Sequence, residues 1–172
     1  MTTYNGPDGD DSLVGGDDAD VFDLTQGGSD TADGGAGDDH FLLGATLSQG
    51  DHIDGGHGFG QDTVVLDGDY SAGLRFGKGM ISRIDTLMLT GGHDYRLGGI
   101  VGLGGAAIDA SDLSAADHLI IERSNAFLVV TAGAGDDFIQ GGWKSYLDLS
   151  EGGHDTISLG DADDTVMAGG SL

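Results

Sequence analysis

The first third of the chain alternates glycine- and aspartate-rich turns with short runs that have one apolar residue at the centre. Counted in units of nine residues from Gly6, with a few insertions, this apolar residue falls eighth in each unit. The eighth residues are Leu13, Phe22, Ala32, Phe41, Ile53 and Val64. A polar–apolar–polar run predicts a short β-strand with one side chain directed inward, and the glycines before it predict a tight turn.

The same spacing returns near the end of the chain. Three further units span 132–140, 150–158 and 159–167. Their eighth residues are Ile139, Ile157 and Val166. The unit 141–149 keeps the length but places Tyr146 sixth and Asp148 eighth, so it is degenerate. Residues 168–172 resemble the start of another turn. Repetition at a fixed period predicts a solenoid, in which each unit buries its apolar side chain against other units.

Between residues 67 and 131 the nine-residue spacing fades and short apolar runs replace it. These runs are 74–76, 86–90, 119–121 and 127–130, and turn residues separate them. They predict strands that continue the solenoid, with a single helical turn at 112–116. The sequence therefore predicts an all-β chain with an N-terminal repeat array at 1–66, a non-repetitive middle segment at 67–131 and a C-terminal array at 132–172.

The composition adds a requirement for cations. The chain has 30 acidic and 6 basic residues, a formal net charge of -24, and 35 glycines. Such values are also typical of disordered chains, but 38% of the residues are hydrophobic and regularly spaced. Since a compact chain of this charge repels itself, we expect bound cations in the folded state. The charge argues against nucleic-acid and anionic-membrane partners.

The chain also lacks cysteine and long apolar runs, which excludes several kinds of site and segment. The chain has no cysteine, which excludes disulfides and thiolate metal sites. No apolar run reaches the roughly 18 residues of a membrane span, and the N-terminal residues lack the features of a signal peptide. The ending after Met167 suggests a fragment of a longer protein.

The repeat unit is clearest at Gly34-Gly35-Ala36-Gly37-Asp38-Asp39-His40-Phe41-Leu42. This unit matches the pattern G-G-x-G-x-D-x-U-x, in which U is a large apolar residue. Over 5–66 and 132–172 the chain resembles the repeats-in-toxin (RTX) family of bacterial proteins secreted by type I systems. The middle segment, with Leu89 to Tyr95, resembles the non-repetitive β segment found between such arrays. The resemblance implies a right-handed parallel β-roll that binds several Ca²⁺ ions.

The physical basis of such a site can be stated from the unit itself. Six residues form a turn and three form a strand, so two units make one coil and each unit stacks on the next but one. Stacked turns then bring glycine carbonyls and two sixth-position carboxylates around one gap. Calcium accepts six to eight oxygen ligands in irregular geometry, whereas magnesium requires a tight octahedron and retains its waters. The sequence therefore favours calcium.

This stacking predicts specific pairs of aspartates. Asp11 would share an ion with Asp30, Asp20 with Asp39, and Asp137 with Asp155. Asp30 would pair with Asp51 and Asp39 with Asp62 if the stacking continues across the insertions that break the nine-residue count. Asp164 would face Tyr146 and form a weak or empty site. The glycine ligands by the same pattern are Gly6, Gly9, Gly15, Gly28, Gly34, Gly37, Gly60, Gly135 and Gly153. Asp38, which is fifth in its unit, is expected to point to solvent.

Two functions remain open at this stage. The first is a calcium-dependent folding module of a larger secreted protein, exported by a type I system and folded outside the cell. The second is a module that binds polysaccharide or a cell surface, which a ladder of exposed aromatic or basic side chains would favour. Trp143 and Tyr146 would serve such a platform or, as the preferred interpretation, occupy misfit core positions. An enzyme is not indicated, because no H-E-x-x-H or G-x-S-x-G motif occurs. His40 and His154 are expected at the surface.

Overall fold

A computed structural model describes residues 1–124 and 126–169 of the chain. These residues form a parallel β-solenoid of about eight turns without an α-helix. The strands are β1 (Thr3–Asn5), β2 (Ser12–Val14), β3 (Val21–Asp23), β4 (Thr31–Asp33), β5 (His40–Leu43), β6 (His52–Asp54), β7 (Thr63–Leu66), β8 (Tyr70–Arg75), β9 (Ile81–Ser82), β10 (Thr86–Leu89), β11 (Tyr95–Gly98), β12 (Ala107–Asp109), β13 (Leu119–Ile121), β14 (Leu128–Thr131), β15 (Phe138–Gln140), β16 (Ser145–Leu149), β17 (Thr156–Ser158) and β18 (Thr165–Ala168). One 3-10 turn, Ile100–Leu103, lies between β11 and β12.

The strands form three parallel sheets that run along the solenoid. The longest sheet has the order β1-β3-β5-β7-β10-β12-β14-β16-β18. The opposite wall is β2-β4-β6-β9 in the first half and β8-β11-β13-β15-β17 in the second. In the N-terminal array each unit therefore stacks on the next but one, as the sequence predicts. Adjacent strands of the long sheet are separated by as few as 17 residues (Val129 and Tyr146) and as many as 23 (His40 and Thr63).

The core is a column of side chains that run in register through the long sheet. Tyr4 pairs with Phe22, and Phe22 with Phe41, with stacked rings whose centroids are 4.9 and 4.7 Å apart. Val64 and Leu87 continue the column, and both are fully buried. Parallel pairing in register places like residues above one another, which is why the eighth position of each unit must be apolar.

Most of the predicted core residues are buried, and one is not. Phe22, Ala32, Phe41, Ile53, Val64 and Ile139 are completely buried, and Leu13 and Ile157 are partly buried. Val166 was predicted to fill the interior, but it is 43% exposed. It lies on β18, the last strand of the long sheet, where only β16 packs beside it. A residue in a terminal coil lacks the second neighbour that would complete its burial.

The middle segment continues the solenoid, and its predicted strands coincide with β8, β10, β13 and β14. The helical turn predicted at 112–116 is wrong. Two tight turns stand there instead, closed by hydrogen bonds from Leu113 N to Ala110 O and from Asp117 N to Ser114 O, each 3.0 Å long. Most of the turn predicted at 168–172 lies outside the described residues.

Candidate metal centre

One column of aspartates lies along the edge of the long sheet, each one residue before a strand. The backbone N–H of Asp20 donates to Oδ1 of Asp39 at 2.8 Å, and that of Asp39 to Oδ1 of Asp62 at 3.0 Å. The N–H of Asp62 donates in the same way to Oδ2 of Asp85 at 2.9 Å. Each carboxylate therefore reaches back across the gap to the preceding coil. The predicted pairs Asp20–Asp39 and Asp39–Asp62 lie together.

A second column lies on the opposite edge. The N–H of Asp11 donates to Oδ1 of Asp30 at 3.0 Å, and the N–H of Asp30 to Oδ1 of Asp51 at 2.8 Å. In the C-terminal array the N–H of Asp137 donates to Oδ1 of Asp155 at 3.0 Å. All five predicted pairs are thus adjacent across a coil gap, including the two separated by insertions.

Among the described residues, three buried carboxylate oxygens have no hydrogen-bond partner. They are Oδ2 of Asp11, Oδ2 of Asp39 and Oδ2 of Asp137. Asp39 is completely buried, and Asp137 is 2% exposed. A buried carboxylate oxygen without a donor carries a large desolvation cost, so such atoms in a native fold require a partner. A cation in the coil gap would be that partner.

Other carboxylates in the two columns already have donors within their own coil. Oδ2 of Asp20 accepts the N–H of Gly16 at 3.0 Å. Oδ2 of Asp51 accepts the N–H of Ser48 at 2.7 Å and its hydroxyl at 3.1 Å. These two aspartates are therefore less dependent on a cation than Asp11, Asp39 and Asp137.

The glycines of the turns bring backbone carbonyls into the same gaps. At several positions a Cβ would overlap the carbonyl oxygen of a glycine in a neighbouring coil. Examples are a Cβ at Gly28 with the carbonyl of Gly9, at Gly15 with that of Gly34, at Gly60 with that of Gly37, and at Gly153 with that of Gly135. At Gly6 a Cβ would lie 3.0 Å from Oδ2 of Asp11. The turns thus need glycine because oxygen atoms occupy the space a side chain would take.

The pKa of each buried aspartate depends on its burial and on the hydrogen-bond donors around its carboxylate. Burial raises the pKa of Asp39 to about 6, against 3.8 for a free side chain. Burial likewise raises the pKa of Asp137 to about 6. By contrast, the backbone N–H of Gly16 lowers the pKa of Asp20. Without a cation, Asp39 and Asp137 therefore sit where the charged form is disfavoured.

One prediction about an individual aspartate is wrong, and a second is confirmed only in part. Asp164 does not face Tyr146: its Oδ1 accepts the N–H of Ser145 at 2.6 Å, because β16 is shifted by one residue from the nine-residue count. Asp38 does not simply point to solvent. Although it is exposed, its Oδ1 accepts the N–H of Gln61 at 2.8 Å in the next coil. An aspartate in the fifth position thus accepts a hydrogen bond from the following coil, and an aspartate in the sixth position accepts one from the preceding coil.

Sequence reasoning missed two aspartates of the middle segment. Asp85 continues the first column, and its spacing of 23 residues from Asp62 equals that of Asp62 from Asp39. Asp117 is 6% exposed and accepts the N–H of Ser114 at 2.8 Å and its hydroxyl at 2.9 Å. The same S-x-x-D pattern surrounds Asp51, and it could have identified Asp117.

The donor set suits a hard cation. Within the described residues no group of three or more His, Cys, Asp or Glu side chains is placed to hold a metal ion. Beside Gly28, Gly34 and Gly153 a carboxylate oxygen lies close to a backbone carbonyl oxygen, and both are oxygen ligands that Ca²⁺ accepts. His40 and His154 are exposed, as expected.

Tyr146, one of the exposed aromatic residues, has no aromatic residue in register with it in the described strands. Trp143 is 64% exposed and Tyr146 is 46% exposed, so their interpretation as misfit core residues is wrong. The residues in register with Tyr146 are Val129 and Thr165, neither of them aromatic.

Three of the six basic residues form ion pairs with acidic side chains. Arg75 and Arg96 both pair with the same acid, Glu122, at 3.9 and 2.8 Å. The described part of the chain therefore gives little support for a ladder of exposed aromatic or basic side chains, which would favour a polysaccharide-binding module.

Comparison of the chain with protein-family models, with curated proteins and with solved structures finds no match. The described part of the chain also contains no helix long and apolar enough to cross a membrane.

Proposed function

We propose that the chain is a calcium-binding structural module of the RTX type, which folds on binding several Ca²⁺ ions. In this proposal it is part of a larger bacterial protein that leaves the cell through a type I system, and it acts outside the cell or at its surface. Its role is structural rather than catalytic.

The observation that carries this proposal is the second carboxylate oxygen of Asp39. The side chain is completely buried, one oxygen accepts a hydrogen bond from the preceding coil, and the other has no partner. The same arrangement recurs at Asp137 on the opposite edge. A repeated, buried, unpartnered anion in a chain of net charge -24 is explained by a repeated cation.

Calcium fits these gaps better than magnesium or a transition metal. The available ligands are carboxylate and carbonyl oxygens, without cysteine anywhere in the chain. Histidine side chains of the repeat arrays, such as His40 and His154, are exposed rather than in the gaps. Hard oxygen ligands in an irregular arrangement favour Ca²⁺, since Mg²⁺ retains its waters and softer metals prefer nitrogen or sulfur.

Calcium binding would couple folding to location. An ion that binds only the folded state contributes its binding free energy to folding. Extracellular calcium modules bind with Kd of roughly 10⁻⁴ to 10⁻³ M. With such affinities the repeat arrays would remain unfolded where calcium is scarce and fold where it is plentiful. The absence of cysteine is compatible with that route, because no disulfide has to form after export.

The test is a calcium titration of the dialysed chain followed by circular dichroism and calorimetry. We expect β structure to increase cooperatively with calcium, several ions to bind, and magnesium at the same concentration to have little effect. An identical β spectrum in excess chelator and in millimolar calcium, without heat of binding, would refute the proposal.

A further inference from the structure

The aspartate column on the long sheet extends one coil beyond the recognisable repeats. Asp85 lies in the segment Ser82-Arg83-Ile84-Asp85, which retains none of the glycines of the repeat. Its carboxylate nevertheless accepts the N–H of Asp62 at 2.9 Å, as Asp62 accepts that of Asp39. The stacking therefore continues where the sequence pattern has ended.

The backbone of Arg83 replaces the missing glycine carbonyl. A Cβ added to Gly34 would overlap Oδ2 of Asp39 and would lie 2.7 Å from the carbonyl oxygen of Gly55. One coil further, a Cβ added to Gly55 would overlap Oδ2 of Asp62 and the carbonyl oxygen of Arg83. The same two kinds of oxygen thus converge in both gaps.

Asp62 has an oxygen available for a ligand in this gap. Its side chain is 8% exposed, its Oδ1 accepts the N–H of Asp39, and its Oδ2 accepts no hydrogen bond from the described residues. Burial and the nearby charge of Asp85 both raise the pKa of Asp62. The guanidinium of Arg83 does not neutralise this pair, because it binds Asp54 at 2.5 Å instead.

We propose that Oδ2 of Asp62, the carboxylate of Asp85 and the carbonyl of Arg83 hold an additional Ca²⁺ ion at the end of this column. This inference rests on the proposed function of the repeat gaps. It assigns a calcium site to a coil that lacks the repeat motif. The residue in register with Asp85 in the next coil is Ala106, so the column of carboxylates ends there.

The test compares the number of calcium ions bound by the wild-type chain and by Asp85→Asn. The matched control is Asp112→Asn, which removes the same charge from an exposed residue of the same segment. We expect Asp85→Asn to bind one ion fewer than wild type, and Asp112→Asn to bind the same number. Equal numbers and affinities in wild type and Asp85→Asn would overturn the inference while leaving the repeat sites intact.

A second measurement does not depend on the variant being well folded. In the folded, calcium-loaded wild-type chain, exchange of Ca²⁺ for the diamagnetic ion La³⁺ followed by NMR should shift the amide of Ile84, because it belongs to the peptide group of the Arg83 carbonyl. The amide of Gly56 reports the repeat carbonyl of Gly55 in the same way. A saturating shift of the Gly56 amide without a shift of the Ile84 amide would contradict the proposed site at Asp62 and Asp85 but not the repeat sites. A wild-type chain without calcium binding would overturn both proposals.

Discussion

Asp20 and Asp39 occupy equivalent positions in adjacent coils, and the backbone N–H of Asp20 donates to Oδ1 of Asp39 at 2.8 Å. Oδ2 of Asp39 remains buried without a partner. One carboxylate therefore joins two coils and also presents an uncompensated negative charge in the gap between them. Stability of the arrays thus depends on what occupies that gap.

The charge at Asp39 predicts two opposite effects of Asp39→Asn. Without calcium the variant should be more stable than wild type, because an unpaired buried charge has been removed. With calcium it should need a concentration roughly tenfold higher or more to fold, since a loss of about 1.4 kcal/mol of binding is tenfold in affinity. The β structure that remains in chelator and the midpoint of a calcium titration, both followed by circular dichroism, measure the two effects.

The matched control is Asp17→Asn, which removes the same charge from an exposed turn residue. It should shift neither quantity appreciably, because surface substitutions usually change stability by about 0.5 kcal/mol or less. Similar calcium midpoints for the two variants would show that Asp39 is not a ligand.

The hydrogen bond from Gln61 N to Asp38 predicts that Asp38→Ala is mildly destabilising. The bond is 2.8 Å long but exposed, so its loss should cost about 1 kcal/mol in saturating calcium. Urea unfolding of Asp38→Ala and of the control Asp17→Ala measures the difference in their free energies of unfolding. Equal free energies of unfolding would mean that the hydrogen bond from a fifth-position aspartate does not stabilise the next coil.

The raised pKa values of Asp39 and Asp137 predict an unusual pH dependence without metal. Both are about 6 in the folded chain, against 3.8 for a free side chain. The folded state therefore binds these protons more tightly than the unfolded state, and its stability falls as the pH rises through 6. We expect the calcium-free chain to gain β structure between pH 7 and 5.

Calcium should reverse that trend, because protons compete with the ion for the carboxylates and its affinity should fall over the same interval. Circular dichroism of dialysed protein, with and without calcium, distinguishes the two trends. An Asp39→Asn, Asp137→Asn double variant should show a flatter metal-free dependence than wild type. An unchanged slope in the double variant would assign the pH dependence to other groups.

Gly34 and Gly44 offer a matched pair for the close packing of coils. A Cβ at Gly34 would overlap Oδ2 of Asp39, whereas one at Gly44 would have no heavy atom nearer than 3.7 Å. Gly34→Ala should therefore destabilise the chain by about 1–3 kcal/mol, as overpacking does. Gly44→Ala should be tolerated. Thermal unfolding in calcium measures both, and equal melting temperatures would contradict the stacking geometry.

The distribution of charge predicts that the middle segment remains folded when the removal of calcium unfolds the repeat arrays. Residues 1–66 contain 14 aspartates and no lysine or arginine, whereas 67–131 contain eight acidic and five basic residues. The middle segment also buries many large apolar side chains, such as Leu87, Tyr95 and Leu97. Hydrogen exchange in chelator should leave β10, β11 and β13 more protected than β3 to β6. Uniform loss of protection would show that the solenoid folds as one unit.

The repeat itself made much of the fold predictable. Stacked coils place equivalent residues in register, so a period of nine identifies the buried Phe22 and Phe41 and the adjacent pair Asp20–Asp39. Local turns of glycine and aspartate have few alternatives at this spacing. The paired positions could therefore be read from the chain.

The errors arose where coil length varies. β16 is displaced by one residue from the nine-residue count, so Ser145 rather than Tyr146 lies opposite Asp164. A shift of one residue exchanges the inward and outward faces of a strand, which is why Tyr146 is exposed and Leu147 is buried. Asp85 was missed for a different reason, because the residues directly before it, Ser82-Arg83-Ile84, lack the glycines of the repeat.

The sequence by itself determined that short strands alternate with glycine–aspartate turns and that alternate units stack, because both properties depend only on local spacing. The tertiary structure alone decided which carboxylate oxygens lack a donor. Asp20 and Asp39 hold equivalent places in units that both begin with two glycines, yet Gly16 satisfies the second oxygen of Asp20 while that of Asp39 has no partner. Because the two units begin alike, this difference depends on how the coils on either side pack against them, and no single unit contains this information.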